Sequence, residues 1–188
     1  MGSWLALISS AIIGGMVLLQ LSRFNNDVQR DSYLNMMEDV AYNNLEEVLS
    51  IVEYDFARIG QNINDPSETV VLFADSTDFQ YQLDSNGDGV FETMRYYLSD
   101  TTALAYTDNP RDRILYRVVN GGAPEKISSG LTEFEMTYYN EAGAETTNMS
   151  IMKSFGVRIV VESEVVYDGD YSKVAWQTRV TPTALVMY

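Results

Sequence analysis

The chain of 188 residues contains neither histidine nor cysteine. The absence of histidine removes the usual general base at neutral pH, and the absence of cysteine removes thiol nucleophiles, thiolate metal sites and disulfides. Proline is also rare, and none occurs before Pro66. A long uninterrupted helix is therefore permitted at the start of the chain.

Basic residues are scarce. Lysine and arginine number 12 against 27 aspartate and glutamate residues, which gives a net charge of −15. A nucleic-acid partner is not expected, because binding to phosphates requires a basic patch and the sequence shows none. A strongly acidic surface favours solubility and cation binding.

The first 60 residues predict one helix with two different halves. Residues Trp4 to Leu21 carry no charge and would extend about 27 Å as a helix, close to the thickness of the bilayer hydrocarbon. The second half repeats apolar residues every three or four positions, which is the stripe of an amphipathic helix packed on one face. That stripe comprises Leu34, Met37, Ala41, Leu45, Val48, Val52, Phe56 and Ile59, and Gly60 stands where a helix would end.

The apolar segment is interpreted as retained rather than as a cleaved signal peptide. No lysine or arginine precedes Trp4, and cleavage after the segment would divide a well-formed helix. The basic residues Arg23 and Arg30 follow the span, which weakly favours a cytoplasmic C-terminal side. A basic leader removed ahead of Met1 would abolish that preference.

The remainder predicts a β-rich domain, so the fold class is α+β. We expect an apolar membrane or filament-core helix over residues 1–23, an amphipathic helix over residues 24–60 and a globular head over residues 61–188. Seven strands are expected from runs of β-branched and aromatic residues. They are Thr69–Phe73, Phe79–Leu83, Val90–Leu98, Arg113–Val119, Leu131–Tyr139, Phe155–Ser163 and Lys173–Thr181. The amphipathic helix would cover one face of their antiparallel sheet.

A loop between the second and third of these strands resembles the front of a calcium-binding loop. Oxygen donors stand at its first, third, fifth and ninth positions and glycine at its sixth, and a backbone carbonyl can complete the shell. The candidate calcium ligands are Asp84, Asn86, Asp88, Val90 through its carbonyl, and Glu92. Arg95 occupies the twelfth position, where an EF-hand has glutamate, so a metal-free hairpin turn is the alternative. Bound calcium would be structural.

No catalytic constellation is found, and the chain is not expected to be an enzyme. The acidic pairs Glu133/Glu135 and Glu162/Glu164 could in principle serve a hydrolase, but a solvated sheet face is the more ordinary explanation. Serine has no histidine partner anywhere in the sequence. No catalytic or cofactor-binding residue is assigned.

The whole layout resembles the type IV pilin superfamily. The likeness lies in an apolar helix that continues into an amphipathic one, Gly14 within the apolar part, and a β-domain laid on the second half. The stretches that most resemble larger minor pilins and J-type pseudopilins of type II secretion are Phe79–Leu98 (FQYQLDSNGDGVFETMRYYL), Ile127–Gly143 (ISSGLTEFEMTYYNEAG) and Trp176–Leu185 (WQTRVTPTAL). One departure is Leu5, since most pilins have glutamate at the fifth mature position.

The resemblance implies a structural subunit that waits in the inner membrane and is then assembled into an extracellular filament. Its partners would be copies of itself or related pilins, together with an assembly machinery. The filament core would be a bundle of the N-terminal helices, in which Gly14 and Gly15 allow close contact or local melting. The residues expected in the core are Trp4, Leu5, Leu7, Ile8, Ile12, Gly14, Gly15, Val17 and Leu18. Two alternatives remain open, namely a secretion pseudopilin and a single-span protein that displays a calcium-dependent binding domain.

Overall fold

The computed structural model describes residues 2–65, 67–163, 165–166 and 169–186. Met1 and Tyr188, which bound the predicted domains, lie outside the described residues, as does Glu164 of the second acidic pair. The chain forms one long helix, α1 (Gly2–Ala57), followed by a seven-stranded sheet. The α+β class is confirmed, and the architecture is pilin-like in outline.

All seven strands pair in sequence order and every pairing is antiparallel. Short 3-10 helices span Thr101–Leu104 and Met149–Ile151, and a short helix, α2 (Thr183–Val186), follows the last strand. The strands are β1 (Val71–Ala74), β2 (Asp78–Leu83), β3 (Glu92–Leu98), β4 (Arg113–Val119), β5 (Glu125–Asn140), β6 (Met152–Glu162) and β7 (Lys173–Val180).

The end of α1 and the start of β5 differ from the predicted positions for local reasons, and several other strand ends differ by one to three residues. The helix ends at Ala57 rather than near Gly60, because the chain turns there and Gly60 adopts a φ of +68°. Strand β5 begins six residues before the predicted Leu131. Gly130, with a φ of +82°, lies within it, and its pairing with β4 shifts register near this point. An irregularity of this kind does not interrupt pairing, but it interrupts the alternation that predicts a strand.

The core lies between the second half of α1 and one face of the sheet. Ala41, Leu45, Val48, Val52, Phe56 and Ile59 are buried, whereas Leu34 and Met37 at the start of the stripe are half-buried. The ring of Phe56 meets four other rings edge-on, with centroids 5.2 to 6.2 Å away, and these belong to Phe79, Tyr81, Tyr96 and Phe155. The amphipathic stripe is therefore the side of α1 that holds the head.

Candidate functional site

The first half of α1 is an apolar helix that its own head does not cover. All seven predicted core side chains with a hydrophobic group are exposed to between 48% and 74%, and these are Trp4, Leu5, Leu7, Ile8, Ile12, Val17 and Leu18. A helix that is apolar on every side is stable only when something apolar surrounds it. This segment is the candidate functional site.

The exposed apolar surface continues beyond the predicted boundary at residue 23. Phe24 is 67% and Val28 is 48% exposed, although Arg23 and Asp27 stand beside them. Among the described residues, the helical stretch Ser3–Ala57 contains a window long and apolar enough to cross a membrane, and none of that window is buried. The N-terminal helix could thus anchor the chain in a membrane.

Gly14 and Gly15 lie in the middle of this surface with no constraint from their own chain. A Cβ atom added at either position would meet nothing within 4 Å. The polar group of Ser10 is satisfied internally, because its hydroxyl donates to the carbonyl oxygen of Leu7 at 2.9 Å. On the surface of this segment, the Ser10 hydroxyl is therefore hydrogen-bonded, and the two glycines leave open space.

A buried polar cluster joins the helix to the sheet, and the sequence interpretation did not include it. The Asp55 side chain is 3% exposed, and its Oδ2 accepts bonds from the Tyr96 hydroxyl and from the Arg117 Nε at 2.6 Å. The Tyr81 hydroxyl donates to the Asp55 carbonyl oxygen at 3.1 Å. The carboxylate is thus buried together with a cation and a hydroxyl donor, as a charge in a protein interior requires.

The environment of this cluster keeps both tyrosines protonated. Burial is the largest cause that raises the pKa of Tyr96 and of Tyr81, and the negative charge of Asp55 raises each pKa further. The raised pKa values therefore keep Tyr96 and Tyr81 as hydrogen-bond donors at neutral pH and beyond the pH at which an exposed tyrosine ionises. A single signal in the sequence pointed to this site, since Asp55 is an acid placed among the apolar stripe positions.

The acidic loop closes on itself through backbone hydrogen bonds. The buried Asp84 carboxylate accepts from the N–H groups of Gly87, Asp88 and Gly89 at 2.6, 3.2 and 3.0 Å. Burial acts to raise the pKa of Asp84, but these backbone donors outweigh it and the pKa lies below its usual value. The Glu92 carboxylate accepts from the Ser85 N–H at 2.8 Å.

The remaining predicted ligands form turns of their own. The Asn86 side chain accepts from the Asp88 N–H and donates to the Asp88 carboxylate, which in turn accepts from the N–H of the exposed Val90. Within the part of the chain that the structure describes, no three acidic side chains are grouped so as to hold a metal ion. The calcium site therefore stays a prediction.

The same loop is hydrogen-bonded to the turn that follows α1. The Asp84 N–H donates to the carbonyl oxygen of Gln61 at 2.9 Å, and the Asn62 side chain donates to the carbonyl oxygen of Asp84 at 2.9 Å. Asn62 itself has a φ of +59°, a conformation that asparagine tolerates better than most residues. A change in the order of the loop would therefore alter hydrogen bonds close to the point where the helix meets the head.

The acidic pairs take part in ion pairs on the sheet. Glu133 lies 3.0 Å from Arg158 and 3.6 Å from Lys173, and Glu162 lies 2.7 Å from Arg111. Glu162 also accepts from the side-chain amide of the buried Asn109 at 3.2 Å. These contacts account for both carboxylates without a catalytic role, and the expectation that the chain is not an enzyme stays a prediction.

Comparisons with known proteins add no relative, since no protein-family model, curated protein or solved structure matches the chain. The functional argument therefore rests on the exposed helix, its junction with the head and the acidic loop.

Proposed function

We propose that this chain is a structural subunit of an extracellular, type IV pilus-like filament whose core is a bundle of N-terminal helices. The observation that carries the proposal is the contrast along α1. One half buries an apolar stripe on the head, while the other half exposes large apolar side chains such as Trp4, Leu5 and Leu18 to at least 66%. Such a surface on a folded subunit marks a site of association.

The energetics favour burial of this segment in one of two surroundings. Each Leu, Ile or Val side chain that leaves water gains about 1.5 to 3 kcal/mol, and nine such side chains are exposed before residue 22. Lipid can supply the burial before assembly, and the same segment of sister copies can supply it afterwards. Because α1 runs without a break from Gly2 to Ala57, the exchange needs no refolding of the helix.

The head and the acidic loop also have roles in such a filament. The acidic head, which contains the whole sheet, lies outside the bundle at the cell surface, with an inner-membrane pool of subunits before assembly. The partners are copies of this chain or related pilins. Calcium in the loop Asp84–Glu92 is proposed as a clip that steadies the junction between head and helix, because that loop is bonded to Gln61 and Asn62.

A single-span anchor without a polymer is the second candidate, and one observation favours it. The apolar segment Trp4–Leu21 matches one bilayer crossing, about 27 Å at 1.5 Å per residue, and needs no partner once it lies in lipid. A secretion pseudopilin would share the fold and the bundle and differ in the lifetime of the polymer.

Substitution of the two glycines distinguishes a helix bundle from a solitary membrane span. Replacement of Gly14 and Gly15 by leucine in the full chain adds bulk where the chain itself leaves open space, so the head should melt at an unchanged temperature. Membrane insertion should also persist, because leucine is more apolar than glycine. We expect the variant to lose sedimentable fibres that negative-stain microscopy shows for the wild type, whereas the matched variant Ile13→Leu keeps them.

The results divide the candidates. Fibres unchanged in the Gly14→Leu/Gly15→Leu variant would contradict close packing at the glycines. Wild-type protein that stays monomeric in the membrane under all assembly conditions would contradict the filament and favour the single-span anchor.

A further inference from the structure

One surface loop of the head carries an acceptor sequence for N-linked glycosylation. The chain has twelve asparagines, and Asn148 is the only one that is followed by a residue other than proline and then by serine or threonine. The triplet is Asn148-Met149-Ser150. Transferases that recognise such triplets attach an oligosaccharide to the asparagine side chain, which has to lie on the surface of an exported domain. The fold decides whether Asn148 meets that requirement.

The loop between β5 and β6 meets it. Residues 141–151 connect the two strands, and all of them are exposed except Thr146, which is half-buried. Asn148 lies directly before the 3-10 helix Met149–Ile151 and has an extended backbone conformation. A transferase can therefore reach the triplet without unfolding either strand.

The side chain of Asn148 uses its oxygen for the fold and leaves its nitrogen open to modification. The Oδ1 accepts a hydrogen bond from the Ser150 N–H at 3.1 Å, and this bond caps the short helix. Within the residues that the structure describes, the Asn148 Nδ2 makes no hydrogen bond. A sugar attached to Nδ2 would therefore leave the cap intact.

The surface around Asn148 suits a bound carbohydrate. Met149 and Ile151 are large apolar side chains, and they are 41% and 47% exposed. A groove of about 570 Å³ adjoins the triplet, and its lining includes Ile151 together with the polar residues Asn140 and Glu141. Sugars present C–H groups as well as hydroxyl groups, so the first sugars of a glycan can cover the apolar side chains and hydrogen-bond to the polar ones.

We propose that Asn148 carries an N-linked oligosaccharide. This inference rests on the proposed placement of the head outside the membrane. The donor is an oligosaccharide linked through phosphate to a membrane lipid. The Nδ2 nitrogen forms a bond to the anomeric carbon of the donor, and the bond from that carbon to the phosphate oxygen breaks. The lipid phosphate leaves with the electron pair, and a carboxylate of the transferase takes up the amide proton.

The position of Asn148 is compatible with a bundle of N-terminal helices. The short helix Met149–Ile151 contacts β1, which is an edge strand of the sheet, whereas the backbone of α1 lies closest to β5, β6 and β7. A glycan at Asn148 would therefore extend from the β1 edge and stay outside the bundle. It would also place a hydrated group beside a strand whose backbone could otherwise pair with another sheet.

Mass spectrometry of the full-length protein from native cells tests the site directly. Trypsin releases residues 127–153 as one peptide, because no lysine or arginine lies between Lys126 and Lys153. We expect this peptide to carry the mass of an oligosaccharide, and fragmentation that preserves the sugar bond should locate it on Asn148. A peptide found only with unmodified Asn148, or with sugar only on Thr146 or Thr147, would overturn the inference.

Two variants at one position separate recognition of the triplet from folding. Ser150→Ala removes the hydroxyl that defines the acceptor and keeps the backbone N–H that bonds to Asn148, whereas Ser150→Thr keeps both groups. In native cells, Ser150→Ala should lower the glycosylated fraction of Asn148 by at least about ten-fold, and Ser150→Thr should retain it. Circular dichroism should show the same folded head in both variants. Equal glycosylation of the two would overturn the inference.

The glycan and the filament fail in different ways. Wild-type fibres whose subunits have an unmodified Asn148 would overturn the glycan and leave the filament standing. Protein that is modified at Asn148 but stays monomeric in the membrane would overturn the filament and support the glycan, because glycosylation requires only that the head lies outside the membrane.

Discussion

The two halves of α1 belong to one continuous helix and differ in what surrounds them. From Ala41 onward, apolar residues at helical spacing are buried against the sheet, and their opposite side carries exposed acids. From Ser3 to Leu21, apolar residues occupy every side and none is buried. The head therefore buries one stripe of the second half of α1. The remaining apolar surface is left for lipid or for other copies.

Glycine shows the same difference between the two ends of α1. Gly60, just past the buried half, has a φ of +68°, and an added Cβ would lie 2.5 Å from the Cβ of Ala184 and 2.9 Å from Val70. Gly14, in the exposed half, has open space around it. Sequence constraint at the buried end comes from the chain's own packing, whereas any constraint at Gly14 has to come from a partner.

The largest expected effect is on stability, and it comes from removing one large side chain from each half of α1. Phe56→Ala removes a ring that is 1% exposed and touches four other rings, so the head should lose about 4 kcal/mol of unfolding free energy. Leu18→Ala removes a side chain that is 68% exposed and should change head stability by less than about 0.5 kcal/mol. Thermal and urea melts of the full chain in detergent measure both. A comparable loss in Leu18→Ala would show that the first half also packs on the head.

The next effect concerns the polar cluster beneath the buried half. Asp55→Ala leaves Arg117 and the Tyr96 hydroxyl without their shared partner, and we expect a loss of about 3 kcal/mol. The outer pair of the same arginine provides the control. Glu125 is 65% exposed and lies 3.3 Å from Arg117, so Glu125→Gln should cost under about 0.5 kcal/mol. Equal losses in the two variants would mean that burial does not decide the strength of this cluster.

Much of the fold follows from periodicity alone. The stripe Leu34–Ile59 predicted which side of the helix is buried, and the alternation of β7 predicted an antiparallel strand with one covered face. The number of strands was also predicted, because turn residues separate the apolar runs. Gly130 inside β5 was not anticipated as a strand position, since a residue with positive φ reads as a loop.

The candidate site was predictable only in its local parts. The apolar segment Trp4–Leu21 can be recognised in the sequence because the composition of a few consecutive helical turns is sufficient to identify it. The Asp55 cluster depends on Tyr96 and Arg117, which stand 41 and 62 residues away in sequence. A single sequence gives no register between helix and sheet, so these partners could be identified only from the folded chain.

The smallest expected effect concerns the acidic loop, which meets the buried end of α1. If Asp84, Asn86, Asp88, the Val90 carbonyl and Glu92 bind calcium with the weak affinity of extracellular sites, about 5 mM calcium should stabilise the head by about 1 to 2 kcal/mol. The melting temperature should then rise by a few degrees and fall again with chelator. Asp88→Ala should remove the difference and leave the calcium-free melt nearly unchanged, because Asp88 accepts only local N–H and amide bonds. The apolar half should show no calcium response, since Asp84 is hydrogen-bonded to Gln61 and Asn62, which lie just beyond the C-terminal end of α1. Identical melts with calcium and with chelator would make the loop a metal-free turn held by the Asp84 hydrogen bonds.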